Sequence, residues 1–322
     1  MDYNPQKPVF LSLNPCYNFI MEKIYDLIIV GAGSAGISAG IYAKNFGMDC
    51  LIIGEEVGGL LNGCYKIDNY PGLFDILGTD LAKHFESHRQ YLNIPLEQES
   101  VGKICKEKGI FKITTSIGEY CAKTLILAFG TQVKKLEIKN SEKFENSGVY
   151  YRSGHNASLF SGKTIAIVGG ANSAVMKAVK YAEAAKKVYL IYRKEKLRAD
   201  KIWVNKLAKL KNVEVIYSAN VTEIGDHKEL ETIILDIGKE LKIDSLFIEA
   251  GAVPNTVLIG ELGIKTNEHG YIETDKCQGT NIEGVFAAGD ATTGSNGFRQ
   301  IITACSEGAI AALGALNYLH KK

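Results

Sequence analysis

The sequence predicts an α/β fold of two parallel-sheet units, the second inserted in the first, and three observations carry that expectation. The apolar run Tyr25-Asp26-Leu27-Ile28-Ile29-Val30 leads directly into the turn Gly31-Ala32-Gly33-Ser34-Ala35-Gly36. A second run, Thr164-Ile165-Ala166-Ile167-Val168, leads into Gly169-Gly170-Ala171-Asn172-Ser173-Ala174. Far downstream, Val285-Phe286-Ala287-Ala288-Gly289-Asp290 reads as a buried strand ending in an acid. The order strand, glycine turn, helix aims a helix N-terminus at a phosphate, so both turns read as Rossmann-like dinucleotide sites. Two dinucleotides in one chain point to electron transfer, with one of them a redox cofactor.

Composition narrows the function classes. The 322 residues suit two domains, or one interrupted by another. A net charge of +1 advertises no general affinity for nucleic acid or an anionic membrane. No uninterrupted apolar run approaches the roughly 18 residues that span a bilayer. The seven cysteines (Cys16, Cys50, Cys64, Cys105, Cys121, Cys277, Cys305) include no pair at C-x-x-C spacing. An odd, scattered set in a long chain reads as unpaired thiols in a reducing cytoplasm. Residues 1–21 carry Pro5, Pro8 and Pro15, no periodicity, and neither the basic nor the apolar region of a signal peptide. They are expected outside the fold, as a tail or an upstream-start artefact, with Met21 as a natural start.

In the first unit, Gly31 allows the tight turn, Gly33 lets backbone approach a pyrophosphate, and Gly36 lets the helix pack on the strand. A helix is predicted over Ala35–Phe46 and a strand over Asp49–Ile53. The strand ends at Gly54-Glu55-Glu56, about 20 residues past the glycines, where a carboxylate can bind ribose hydroxyls; Glu56 is the favoured acid. Asp290, followed by Gly294 to Gln300 and a helix from about Ile301 to Leu319, reads as an acceptor for a sugar or ribityl hydroxyl or, alternatively, as a helix cap.

In the second unit, from Lys163 to about Ile216, Ala171 stands where glycine is usual, so its methyl is expected to intrude on the phosphate approach. The strand Lys187–Tyr192 ends in Arg193-Lys194, with Arg198 beyond, rather than in an acid. Basic groups there pair with a 2′-phosphate, favouring NADPH over NADH. Thirteen Lys or Arg between Lys163 and Lys211, against Glu183, Glu195 and Asp200, form either a docking face for an acidic redox partner or a solvated lysine-rich surface.

At these residues the chain resembles the low-molecular-weight thioredoxin reductase flavoproteins over nearly everything after Met21. The resemblance rests on GAGSAG, Ile67-Asp68-Asn69-Tyr70-Pro71-Gly72, Ala128-Phe129-Gly130, GGANSA, Arg193 to Ala199, Val253-Pro254-Asn255, Phe286 to Asp290, Arg299-Gln300, Thr303 and Gly308. It implies a homodimer with an FAD domain (22–134 and 252–322) interrupted by an NADPH domain (135–251). Around FAD it implies Gly31, Gly33, Ser34, Ala35, Gly36, Glu55, Glu56, Gly59, Asn69, Gly130, Gly289, Asp290, Arg299, Gln300 and Ile301. Around NADPH it implies Gly169, Ala171, Asn172, Ser173, Ala174, Arg193, Lys194 and Arg198.

The departure lies where the family carries C-x-x-C followed by an acid. Here the segment reads Gly148-Val149-Tyr150-Tyr151-Arg152-Ser153-Gly154-His155-Asn156. Arg152 and His155 replace the sulfurs, and these side chains cannot exchange electrons with a disulfide. His155 as proton donor and Arg152 as stabiliser of an anionic reduced ring is one reading; surface-loop drift is the other. Cys64 and Cys305 are the substitute thiols to check. Leu60 is a smaller departure, where the family commonly has Gln. The expected function is an FAD oxidoreductase passing electrons from NADPH to ferredoxin, flavodoxin, a quinone or oxygen. Two alternatives stay open: a flavoprotein fed by ferredoxin, and a flavin-binding scaffold or sensor.

Overall fold

The computed structural model describes residues 23–151, 157–225, 228–254 and 256–321. The first unit opens with β1 (Ile24–Val30), α1 (Ser34–Asn45), β2 (Cys50–Ile53) and α2 (Gly78–Tyr91). It continues through β3 (Leu96–Glu97), β4 (Val101–Glu107), β5 (Ile110–Thr115) and β6 (Glu119–Leu127). β3, β2, β1 and β6 run parallel in that order, and β5 and β4 extend the sheet antiparallel. The run of apolar residues in β1 has a simple cause. Leu27 and Ile29 face α1 and the C-terminal helix, while Ile28 and Val30 face Phe111, Ile113 and Ile272 on the other side. Full burial of each such side chain contributes about 1.5–3 kcal/mol, and a strand covered on both faces has no need to alternate. α1 begins one residue before the expected Ala35, and β2 begins one residue after Asp49.

The chain leaves through β7 (Thr131–Val133) and enters β8 (Val149–Tyr151), β9 (Thr164–Val168), α3 (Asn172–Ala182), β10 (Lys187–Tyr192), α4 (Lys201–Leu207) and β11 (Val213–Tyr217). A small antiparallel sheet follows, β12 (Val221–Ile224), β13 (Thr232–Leu235) and β14 (Glu240–Lys242), and then β15 (Ser245–Ile248). The second parallel sheet has the order β11-β10-β9-β15-β8. Its two faces bury separate clusters, one around Tyr181, Phe247 and Phe160, the other around Val149, Ile191 and Ile233. The chain returns through β16 (Ala252–Pro254), which pairs antiparallel with β7.

Two late elements complete the first unit. β17 (Val285–Ala287) pairs with the C-terminal half of β6, whose N-terminal half is taken by β5. α5 (Ile301–His320) then packs on α1. By length and composition alone α5 is apolar enough to cross a membrane, an exception to the reading that no such segment exists. Here Ala304, Gly308, Ala311, Ala312 and Ala315 are buried in the core, which accounts for the apolar composition.

α5 also carries Glu307, 4% exposed. Its Oε2 accepts from the Gly289 amide (2.8 Å) and Thr292 Oγ1 (3.0 Å), and its Oε1 accepts from Ser295 Oγ (2.6 Å). A buried carboxylate with three donors fastens the 289–295 loop to the helix. Removing it orphans those donors. Glu307→Ala is therefore expected to cost about 3 kcal/mol, a fall of roughly 6–12 °C in Tm. Glu307→Gln, which keeps an acceptor, should lose less. Thermal unfolding of the three proteins side by side checks this.

Candidate functional site

Parallel pairing sets Val30 beside Leu127 and Leu127 beside Ala287. The chain leaving each of these strands therefore enters one edge of the sheet. Gly31 turns there with φ +117°, and a Cβ on it would lie 2.3 Å from the Ala128 carbonyl oxygen. At Gly36 a Cβ would lie 1.8 Å from the Gly31 carbonyl oxygen, so Ala35 and Gly36 bury while Ser34 opens α1 half-exposed. Gly33 and Gly130, by contrast, border open space, with nothing within 4 Å of an added Cβ. A Cβ on Gly59 would meet only Gly33. These three glycines leave the amides of the α1 N-terminus uncovered, the geometry a pyrophosphate takes.

Polar groups surround that edge. Glu55 and Glu56 follow β2, both exposed, and Glu56 Oε1 accepts from Asn62 Nδ2 at 2.7 Å. Gly289 and Asp290 follow β17. Burial pushes the Asp290 carboxyl above the usual carboxylate range; Arg299 opposes this and Glu307 adds to it. Asp290 caps neither following helix, since Thr293 and Gln300 hold those positions. Arg299 Nε donates to the Asp290 carbonyl (3.1 Å), and its guanidinium lies 3.8 Å from the Tyr271 ring centroid. Asn69 Nδ2 donates to Gln300 Oε1 (2.9 Å), and Ile301 packs with Leu61 and Ile67. The ends of β1, β2, β6 and β17, which lead into most of the residues expected around FAD, thus lie along one edge of the sheet. A glycine cradle over a helix N-terminus, with a half-buried acid beside it, fits a flavin nucleotide.

At the second turn, Ala171 has φ −96° and ψ −178°, the same extended conformation as Gly33 (−82°, −168°). Its methyl is exposed and the backbone path is unchanged. Extended backbone at this position accommodates any residue, so the turn keeps its path with Ala171 in place. Ser173 is exposed in the first turn of α3 and Ala174 is buried. A Cβ on Gly169 would lie 2.6 Å from the Glu249 carbonyl oxygen. Asn172 does something the sequence did not reveal. Its Nδ2 donates to Asp200 Oδ2 (2.9 Å) and its Oδ1 accepts from the Asp200 amide (2.8 Å), so it fastens the N-cap of α4. The Arg198 amide donates to the Gly170 carbonyl (2.7 Å). Together these bonds hold the Arg193–Arg198 loop against the turn, with Arg193, Lys194 and Arg198 exposed beside it. The Tyr192 hydroxyl is buried there without a partner among the described residues. Exposed cations beside a helix N-terminus fit a 2′-phosphorylated dinucleotide.

The two units touch across the cleft. Tyr65 Oη donates to Glu183 (3.0 Å), Lys180 Nζ lies 5.2 Å from the Tyr65 ring centroid, and Lys206 approaches Asp68 at 4.0 Å. Arg152 and His155 lie outside the described residues. Burial pushes the Cys64 thiol up, helped by the charges of Asp290 and Glu249. Burial likewise raises Cys305 to about 11, against a hydrogen bond from Tyr70. Thiols so shifted carry little thiolate at neutral pH and are poor nucleophiles. Sequence reasoning also missed Glu307, Tyr271, Asp200 and the buried Lys177–Glu249 pair. Nothing local marks them, since each acts through a partner distant in sequence.

Residues 25–308 match the model of the pyridine nucleotide-disulphide oxidoreductase family. A 34.2 kDa protein in the rubredoxin operon of Clostridium pasteurianum is 37% identical over 308 residues, covering 94% of this chain and 99% of that protein. The crystal structure of Lactococcus lactis thioredoxin reductase in its FR conformation has a TM-score of 0.88 at 32% identity, covering 92% of this chain and 100% of that one. A ferredoxin-flavin thioredoxin reductase from Clostridium acetobutylicum has a TM-score of 0.52 at 29% identity, covering 93% and 98%. A family match over most of the chain, with two nucleotide edges of matching geometry, is sufficient: this chain belongs to the pyridine nucleotide-disulphide oxidoreductase family, as a thioredoxin-reductase-like flavoprotein oxidoreductase that uses FAD and NAD(P)H.

Proposed function

We propose that this chain draws reducing equivalents from NADPH and hands them to a small acceptor without a protein dithiol. The observation that carries the reading is a pairing of presence and absence. The exposed clamp Arg193, Lys194 and Arg198 stands beside an intact second turn, while no two cysteines in the sequence have C-x-x-C spacing. Residues 22–134 and 252–322 act as the FAD-binding domain and residues 135–251 as the NADPH-binding domain. Bound FAD supplies the electron-exchange chemistry. The chain supplies placement: the N-terminus of α1 for the pyrophosphate, Asp290 for a ribityl or sugar hydroxyl, Asn69 and Gln300 for the far side. In the sequence, Arg152 and His155 stand where the family carries its dithiol; their role would be to stabilise and protonate reduced flavin rather than to exchange electrons with a disulfide.

The raised Cys64 and Cys305 thiols support a route without cysteine chemistry. The acceptor favoured is a small acidic carrier of the ferredoxin or flavodoxin kind. Support comes from the lysine-rich stretch 163–211 and from relatives named for a rubredoxin operon and for ferredoxin. The ferredoxin-named relative also favours the reverse assignment, in which reduced ferredoxin is the donor.

Anaerobic titration separates the two. NADPH should bleach the flavin absorbance of the purified protein rapidly and NADH slowly; a spectrum that stays oxidised with NADPH would sink the first reading and favour the ferredoxin-fed one. Arg193→Ala/Arg198→Ala should raise the KM for NADPH about tenfold or more while leaving that for NADH within about twofold, since each charge-assisted contact is worth about 1.5–3 kcal/mol. Cys64→Ser and Cys305→Ser should keep NADPH-dependent reduction of an artificial one-electron dye within about twofold of the wild type. A tenfold loss in either would reinstate a thiol route.

A further inference from the structure

Lys177 and Glu249 form an ion pair that the proposed function leaves without a task. Lys177 lies in the second turn of α3 and Glu249 follows β15; Nζ pairs with Oε1, and the side chains are 9% and 12% exposed. Burying two charges is costly, and a well-packed hydrophobic pair is often as stable or more so. The location suggests why charges are there. The Glu249 amide donates to the Val168 carbonyl (2.8 Å) at the C-terminal end of β9, and the Glu249 carbonyl backs onto Gly169.

In the all-parallel order β11-β10-β9-β15-β8 the chain adds β10 and β11 on one side of β9 and β15 on the other, so a topological switch lies between β9 and β15. A dinucleotide lies across such a switch point, outside the C-terminal strand ends. Arg193, Lys194 and Arg198 follow β10 and claim the adenosine half. The other half then lies over the end of β15, where Glu249 stands. Its charge, like that of Asp290, reaches Cys64 in the first unit. Oε1 is the oxygen engaged by Lys177; Oε2 has no hydrogen-bond partner among the described residues.

We propose that Glu249, held in place by Lys177, is the positioning residue for the nicotinamide: Oε2 accepts an N–H of the carboxamide. The pair itself transfers neither proton nor electron. This inference rests on the NADPH reading of the second site.

The test uses the full chain with FAD bound and measures binding by calorimetry rather than turnover. The probes are NADP⁺ and adenosine 2′,5′-bisphosphate, which keeps the adenosine half and lacks the nicotinamide. Lys177→Met/Glu249→Leu removes both charges without orphaning either. This variant should bind the bisphosphate within twofold of wild type and NADP⁺ roughly tenfold more weakly, the loss of one charge-assisted bond. Glu249→Gln, which keeps an acceptor, should fall between. Equal weakening toward both probes would make the pair merely structural, and unchanged affinity for both would remove it from the site; either overturns the proposal. Failure of the wild type to bind the bisphosphate would overturn the NADPH reading and this inference with it.

Discussion

At the first glycine turn, backbone packs on backbone with no room for a side chain between. Gly31 sits against the Ala128 carbonyl, Gly36 against the Gly31 carbonyl, and Gly308 of α5 against the Ala35 carbonyl, where an added Cβ would lie at 2.3, 1.8 and 2.2 Å. The last of these contacts joins segments more than 270 residues apart. It brings α5 onto α1, and α5 in turn brings Glu307 beneath the Gly289–Ser295 loop. Asp290 is thus placed by a helix packing constraint as well as by its own strand. A side chain at any of the three glycines would part the layers and unseat both halves of the nucleotide edge together.

The second turn repeats the architecture with looser steric terms. Ala171 is accepted because extended backbone with an exposed Cβ needs no glycine. Close packing moves elsewhere, to Gly170 against the Tyr192 ring (2.5 Å for an added Cβ) and Gly169 against Glu249. What the turn loses in backbone contact it recovers in polar struts, Asn172 to Asp200 and Lys177 to Glu249. A site held by polar struts is tunable by single charges, whereas one held by backbone contact is not.

This difference explains what was legible beforehand. The two strand–turn–helix units, the β10 strand and the glycines of the first edge followed from apolar runs and glycine spacing, because those signals are local, whereas Asn69, Arg299 and Gln300 came from the family resemblance. β17 was legible as a strand, but its place on the C-terminal half of β6, beyond β5, was not, since register depends on partners distant in the chain. Asn172 is expected around NADPH from its place in the turn, and that its side chain also holds Asp200, 28 residues away, was not legible. That the backbone at Ala171 keeps the extended path of Gly33 was not legible from residue type. Glu307 and Glu249 carry no motif; only their burial and partners disclose them. The electron acceptor is read from chemistry, not from fold.

That chemistry turns on access. Under the proposed route without a protein dithiol, the acceptor itself has to approach the boundary between the two units. The contacts that close the cleft suit this. Tyr65–Glu183 and Lys206–Asp68 join partly exposed groups, the second at 4.0 Å with side chains 44% and 35% exposed. Exposed ion pairs of this kind contribute about 0–1 kcal/mol. The bonds that shape each nucleotide edge lie within one unit or the other: Glu307 to the 289–295 loop, Asn172 to Asp200, Lys177 to Glu249. The bonds that shape each nucleotide edge therefore do not depend on the contacts between the units.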